Sequence, residues 1–386
     1  MTIEPFRIDI ADAVLSDLCE RLRRTRWPGE LEAVGWDLGT PQGYLRELCN
    51  YWQDDFDWRA QERRLNQYPH FKAEIDGLNI HFVYVRGKGP NPRPMVLTHG
   101  WPSTFVELEK VIAPLSDPTS FGAPEGASFD LVIPSMPGYG FSDQPRRRGM
   151  DVGGIAAIWR KLMTDVLGYE RFLAHGGDWG AGISTALGRD HSDVVEGIHL
   201  HFMAAGGDSP AVDESTLTAD ERAYLAARAQ WQWAEGSYGH QQGTKPQSLG
   251  YGLNDSPAGL AGWIIEKWRA WSDCGGDVES RFGKDELLTH LTIYWATQTI
   301  ASSVRIYFER IQAPQVLPVD RPIAVPTAFA SFPGEMIHPP REWIARFYNL
   351  QRFTEMPRGG HFAASEEPEL IAADIRAAFH GEQAIA

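Results

Sequence analysis

Cysteine is scarce in this chain: Cys19, Cys49 and Cys274 are odd in number, far apart and free of any C-x-x-C spacing. That excludes a disulfide framework and a zinc-binding cysteine cluster, and it points to a reducing compartment. Basic charge is also short, with 36 Lys and Arg against 51 Asp and Glu for a net −15. A surface of that sign repels polyanions, so no nucleic acid is expected as partner. No apolar run approaches the roughly 18 residues of a membrane span, and Met1–Arg7 lacks a basic stretch followed by an apolar one. The expectation is a soluble, cytoplasmic chain without a membrane anchor. Internal repeats and low-complexity segments are missing too. What 386 residues do allow is one large domain with an insertion, or two ordinary domains.

The pattern divides the chain into four stretches. Residues 1–90 read as a wrapping segment: Phe6–Ile10 alternates like an edge strand, Val14, Leu15, Leu18 and Leu22 mark one helical face, and Tyr44, Leu45, Leu48 and Trp52 mark a second. Asp76-Gly77 between Phe71–Ile75 and Ile80–Val85 is a hairpin signal. Residues 91–203 alternate short apolar strands (Met95–Thr98, Leu131–Ile133, Arg171–Ala174, Gly197–Leu200) with helices, one of them carrying Ile158, Trp159, Leu162 and Val166. This is the pattern of an α/β fold whose mostly parallel sheet has helices on both faces. Residues 204–318, from about Ala204 to Pro318, are Trp-rich and mainly helical, which reads as an inserted lid, with a polar cap and first-turn proline at Ser256-Pro257. Residues 319–386 resume the rhythm with Ala324–Phe329 and a closing helix bearing Leu370, Ile371, Ile375 and Phe379.

The chemistry centres on His175-Gly176-Gly177-Asp178-Trp179-Gly180, at the junction of a strand and a small-residue helix. Glycines two before and two after a central residue let strand and helix approach while that residue is held up and exposed, the geometry of a nucleophile elbow. The central residue is Asp178, and a carboxylate nucleophile leaves an ester, which suits strained carbon electrophiles or alkyl halides better than acyl transfer. The competing reading makes Asp178 a helix N-cap. His99-Gly100-Trp101-Pro102 follows another sheet strand and can aim a backbone N–H at the same point, or it is a tight turn and nothing more. Arg358-Gly359-Gly360-His361-Phe362 places a histidine after the strand Phe353–Met356, where the chain order nucleophile, acid, base wants it. Glu335 follows the preceding strand and can orient it, with Glu309 or Asp320 as alternative acids. A neutral His361 backed by a carboxylate is suited to activating water.

Together with Pro137–Ser142 and Asn254–Pro257, these motifs resemble the epoxide hydrolases of microsomal type, on the α/β-hydrolase fold with an N-terminal epoxide hydrolase segment. The resemblance covers nearly the whole chain. It implies two lid tyrosines that donate hydrogen bonds to the epoxide oxygen, matched by Tyr238 and Tyr307, and it implies Asp178 as nucleophile, Glu335 and His361 as the charge-relay pair, and Trp101 and Trp179 as oxyanion donors. An ether-bond hydrolase that opens an epoxide to a vicinal diol through an Asp ester needs no cofactor and no metal. The expected partner is a small-molecule epoxide, and a homodimer is the assembly allowed for. The chain is expected to lack the N-terminal anchor of the mammalian members, and it is similar also to soluble bacterial members of natural-product pathways, including enediyne biosynthesis.

Six lid tryptophans, Trp231, Trp233, Trp263, Trp268, Trp271 and Trp295, read either as helix packing or as an aromatic wall for a bulky or aromatic epoxide. A haloalkane-type dehalogenase shares the Asp elbow and the histidine but has no use for two phenolic donors, so Tyr238 and Tyr307 decide against it. A catalytically silent binding protein of the same fold need not keep all five of these residue types.

Overall fold

The central strands of the sheet, such as Phe129–Pro134 and Phe172–Gly176, are buried along their whole length, whereas the edge strands Ile3–Phe6 and Tyr348–Glu355 carry exposed residues. The computed structural model describes residues 2–123, 126–203, 212–314, 317, 319 and 321–380. Among the described residues the strands are β1 (Ile3–Phe6), β2 (His70–Ile75), β3 (Leu78–Val85), β4 (Arg93–Thr98), β5 (Phe129–Pro134), β6 (Phe172–Gly176), β7 (Val195–Leu200), β8 (Ile323–Ser331) and β9 (Tyr348–Glu355). Their order is β1-β2-β3-β5-β4-β6-β7-β8-β9. The pairs from β1 through β3 to β5 are antiparallel, and from β5 through β4 to β9 all are parallel. In β5, Phe129, Leu131 and Ile133 join one core and Val132 the other. That period of two is what a strand covered on both faces requires. The Asp76-Gly77 turn joins Ile75 to its partner Leu78, both turn residues with positive φ (53° and 79°), as the tightest hairpins need.

The edge strand lies earlier than the alternation at Phe6–Ile10 suggests. It ends at Phe6, and the next backbone groups turn to side chains of the helix Trp58–Leu65 and its C-cap, which the hydrophobic pattern alone did not reveal. Ile8 exchanges two hydrogen bonds of 2.9 Å with the Asn66 amide, and Ile10 N–H donates to Glu62. The helices Asp12–Arg23 and Gln42–Asp54 bury Leu18, Leu22, Leu48 and Trp52 in the larger core.

Between β7 and β8 the described chain is helical, including Ala219–Ala234, Ser237–Thr244, Pro257–Trp271, Lys284–Thr297 and Arg305–Gln312. Ala204, Pro318 and Asp320 lie outside the described residues. Ser256 caps the helix Pro257–Trp271 by accepting from Gly259 N–H at 3.0 Å, with Pro257 in its first turn. Most lid tryptophans pack rather than wall a cavity. Trp268 is buried and stacks on Phe362 at 4.0 Å, whereas Trp233 is 87% exposed.

Candidate active site

β6 ends at Gly176, and the helix Asp178–Asp190 begins two residues later. The close approach is enforced by glycine: a Cβ on Gly176 would lie 2.3 Å from the Gly180 carbonyl carbon, and one on Gly180 would lie 2.0 Å from the Thr98 oxygen. Asp178 takes φ of +44°, a conformation that non-glycine residues rarely hold and that stores strain at reactive sites. It is not the helix cap. Gly177 occupies that position, and the Asp178 side chain turns the other way, Oδ1 accepting from Trp101 N–H at 2.8 Å. The turn after β4 is therefore tied directly to the elbow, and Gly100 must be glycine because its Cβ would meet the Asp178 Cβ at 2.4 Å. Trp179, in the first turn of the helix, has a backbone N–H without an intrahelical acceptor, at the positive end of the helix dipole.

From the far end of the sheet come the other two groups. Glu335 follows β8 and His361 follows β9, the two loops joined by a bridge between Gly334 and Gly360. His361 Nδ1 lies 2.9 and 3.0 Å from the Glu335 oxygens, and Nε2 lies 3.5 Å from Asp178 Oδ2. An ionised carboxylate only accepts, so Nδ1 carries the proton toward Glu335. Burial pulls the imidazole down, but Glu335 and Asp178 on either side outweigh it and hold its pKa well above the ordinary value. The two carboxylates thus favour a protonated ring in the free site, whereas the sequence reading took His361 as neutral. Glu309, the alternative acid, accepts from Gly149 N–H instead.

Tyr238 and Tyr307 come from two lid helices and meet above Asp178. Tyr238 lies flat on Trp101 (5.6 Å, 10°), Tyr307 stands edge-on to Trp179 at 4.7 Å, and the two phenol rings are 5.8 Å apart. Burial first, then the Asp178 charge for Tyr238 and the neighbouring phenol for Tyr307, push both pKa values up. Both hydroxyls therefore keep their protons at neutral pH and are able to donate. With Asp178 and Trp179 they line a cavity of about 560 Å³.

Four groups around the site escaped the sequence reading. Glu366 accepts from Phe362 N–H at 3.0 Å and from Asp273 N–H at 2.8 Å, clamping the histidine loop to the lid. His361 N–H itself donates to the Trp271 oxygen at 2.9 Å. No short motif could reveal Glu366, since one of its partners is 93 residues away. Arg228 and Arg310 also line the cavity, from helices that look merely amphipathic in sequence.

A sheet of this order, an aspartate elbow and a carboxylate-backed histidine define a hydrolase of the α/β-hydrolase fold. Residues 93–255 match the family described as alpha/beta hydrolase fold, and residues 3–108 match the epoxide hydrolase N terminus. The chain is 37% identical to epoxide hydrolase 1 of Oryctolagus cuniculus, over 97% of this chain and 88% of that protein. It is 35% identical to the juvenile hormone epoxide hydrolase of Manduca sexta, over 97% and 85%. Among solved structures, juvenile hormone epoxide hydrolase from Bombyx mori superposes with a TM-score of 0.87 at 30% identity, covering 98% of this chain and 94% of that one. Aspergillus niger epoxide hydrolase gives 0.85 at 30%, covering 98% and 96%. The chain belongs to the epoxide hydrolases of microsomal type, hydrolases of the ether bond that act on small-molecule epoxides. No helix among the described residues is long and apolar enough to cross a membrane.

Proposed function

We propose that this epoxide hydrolase works through a covalent ester on Asp178, and that its epoxides are bulky. The observation that carries the reading is the seat of Asp178, with Oδ1 on the Trp101 N–H and Oδ2 facing His361 at the base of the cavity. Its oxygen attacks one epoxide carbon from behind, the carbon–oxygen bond breaks, and the oxygen leaving as alkoxide takes a hydrogen bond from Tyr238 and Tyr307 and then a proton. Esterification removes the Asp178 charge, the imidazole loses one of the carboxylates that held its proton, and His361 releases that proton, the equivalent of the one the alkoxide takes up through the phenols, to become neutral with Glu335 behind it. It then takes a proton from water, whose oxygen attacks the ester carbonyl. The N–H groups of Trp101 and Trp179 meet the oxyanion, and collapse releases the diol and restores the carboxylate.

A bulky substrate is supported by the cavity's size and by its apolar wall of Trp179, Phe202, Met203, Trp231, Met336 and Ile337. Of the six lid tryptophans, Trp231 supplies that wall among the described residues. A reducing, cytoplasmic setting is supported by the free thiols of Cys19, Cys49 and Cys274. The mechanism is tested by a single turnover in isotopically heavy water: the label should enter Asp178 and not the diol. Label in the first-turnover diol would mean direct attack by water.

A further inference from the structure

The cavity above Asp178 is not neutral throughout. Arg228 and Arg310 line it, and among its described lining residues Asp178 is the one carboxylate. An epoxide ring offers nothing for a guanidinium to recognise that the phenols do not already supply. On the helix Ala219–Ala234, Arg228 shares its cavity-facing side with Trp231 and Gln232, three and four residues on, so it is set there by helical spacing. Arg310 comes from the last turn of the helix Arg305–Gln312, and its guanidinium lies 5.8 Å from the Trp179 ring centre. A guanidinium over an aromatic face still has N–H donors to offer to a ligand. Both arginines also engage the protein; five N–H donors allow a protein partner and a ligand to be served together.

Resting on the epoxide hydrolase reading of this site, we infer that its preferred substrate is an epoxide carrying a carboxylate, which Arg228 and Arg310 bind while the epoxide end lies under Tyr238 and Tyr307. The planar, two-oxygen shape of a carboxylate fits the guanidinium fork. The apolar wall between the two ends takes the connecting chain or ring. Binding at the far end also orients the epoxide against Asp178, so part of the gain falls on the chemical step.

The test compares ω-epoxyalkanoates, graded from epoxyhexanoate to epoxyundecanoate, each with its primary amide, which keeps the shape and removes the charge. Wild-type enzyme should favour at least one acid over its amide by about tenfold or more in kcat/KM, as charge-assisted bidentate bonding implies. High salt should shrink that ratio. Arg228→Gln and Arg310→Gln should each bring the ratio toward one, whatever happens to the absolute rates, so a folding loss does not imitate the result. Diol from styrene oxide together with acid-to-amide ratios at or below one across the series would overturn the inference and leave the epoxide hydrolase reading standing. No diol from any epoxide would overturn both.

Discussion

His361 Nε2 stands 3.5 Å from Asp178 Oδ2, close enough that the charge of one sets the proton of the other. In the proposed cycle this contact is a timing device: the histidine cannot act as base until the aspartate has been consumed. Asp178→Asn removes the charge and keeps the shape, so it should lower the His361 pKa from its raised position. Nitrogen NMR of the imidazole reads this directly. An unchanged titration in Asp178→Asn would break the link.

The same shift predicts how stability varies with pH. Folding raises the pKa of His361, so its protonated form stabilises the native state fully below the unfolded value of about 6.5. The contribution is lost as pH rises through the folded value. The stability gap between wild type and His361→Gln should therefore be widest in mild acid and should narrow in alkali. Denaturant titrations at several pH values measure it, and a gap that widens with pH would contradict the assignment.

His361→Gln also separates the two half-reactions. Asp178 should still open the epoxide, so the protein should gain the mass of one substrate on the peptide containing Asp178, and turnover should stop there. Mass spectrometry checks this. Recovery of free diol at wild-type speed would remove His361 from the water step.

Tyr238→Phe and Tyr307→Phe each withdraw one donor from the leaving oxygen. Each should slow ester formation by about 1–3 kcal/mol in a dry site. The double variant should be slower than either, while hydrolysis of a preformed ester stays near the wild-type rate. Stopped-flow single turnovers distinguish the steps. Two single variants that form ester at full speed would move the donor role elsewhere.

Glu107 gives a prediction away from the reacting atoms. It is buried, takes a hydrogen bond from the Ser103 hydroxyl, and is pushed by burial from 4.5 to about 7. The native state then holds its proton more tightly than the unfolded chain, so this group costs stability as pH rises from about 4.5 to 7. Glu107→Gln cannot ionise, and its stability relative to wild type should climb across that window. A flat difference between the two proteins would show that Glu107 ionises as easily folded as unfolded.

The sequence by itself determined the parts whose logic is local. Gly176, Asp178 and Gly180 carry the elbow in their spacing because strand, turn and helix follow one another in the chain. The apolar strands announce a covered sheet because side chains alternate every two residues whatever lies beyond. The order of Asp178, Glu335 and His361 is likewise readable, since each follows a strand. Only the tertiary structure decided what depends on distant groups sharing a volume. Ile8 and Ile10 leave the sheet because Asn66 and Glu62 satisfy their backbone groups, a competition that no alternation pattern records. Trp268 and Trp233 are the same residue on the same lid, one buried and one exposed, because packing partners and not composition set burial. The His361 pKa is held high by carboxylates that arrive from other strands, and Arg228 and Arg310 converge on one cavity from separate helices. Charge interactions act through space at a few ångströms. Position along the chain carries no measure of that distance until the sheet and the lid are assembled.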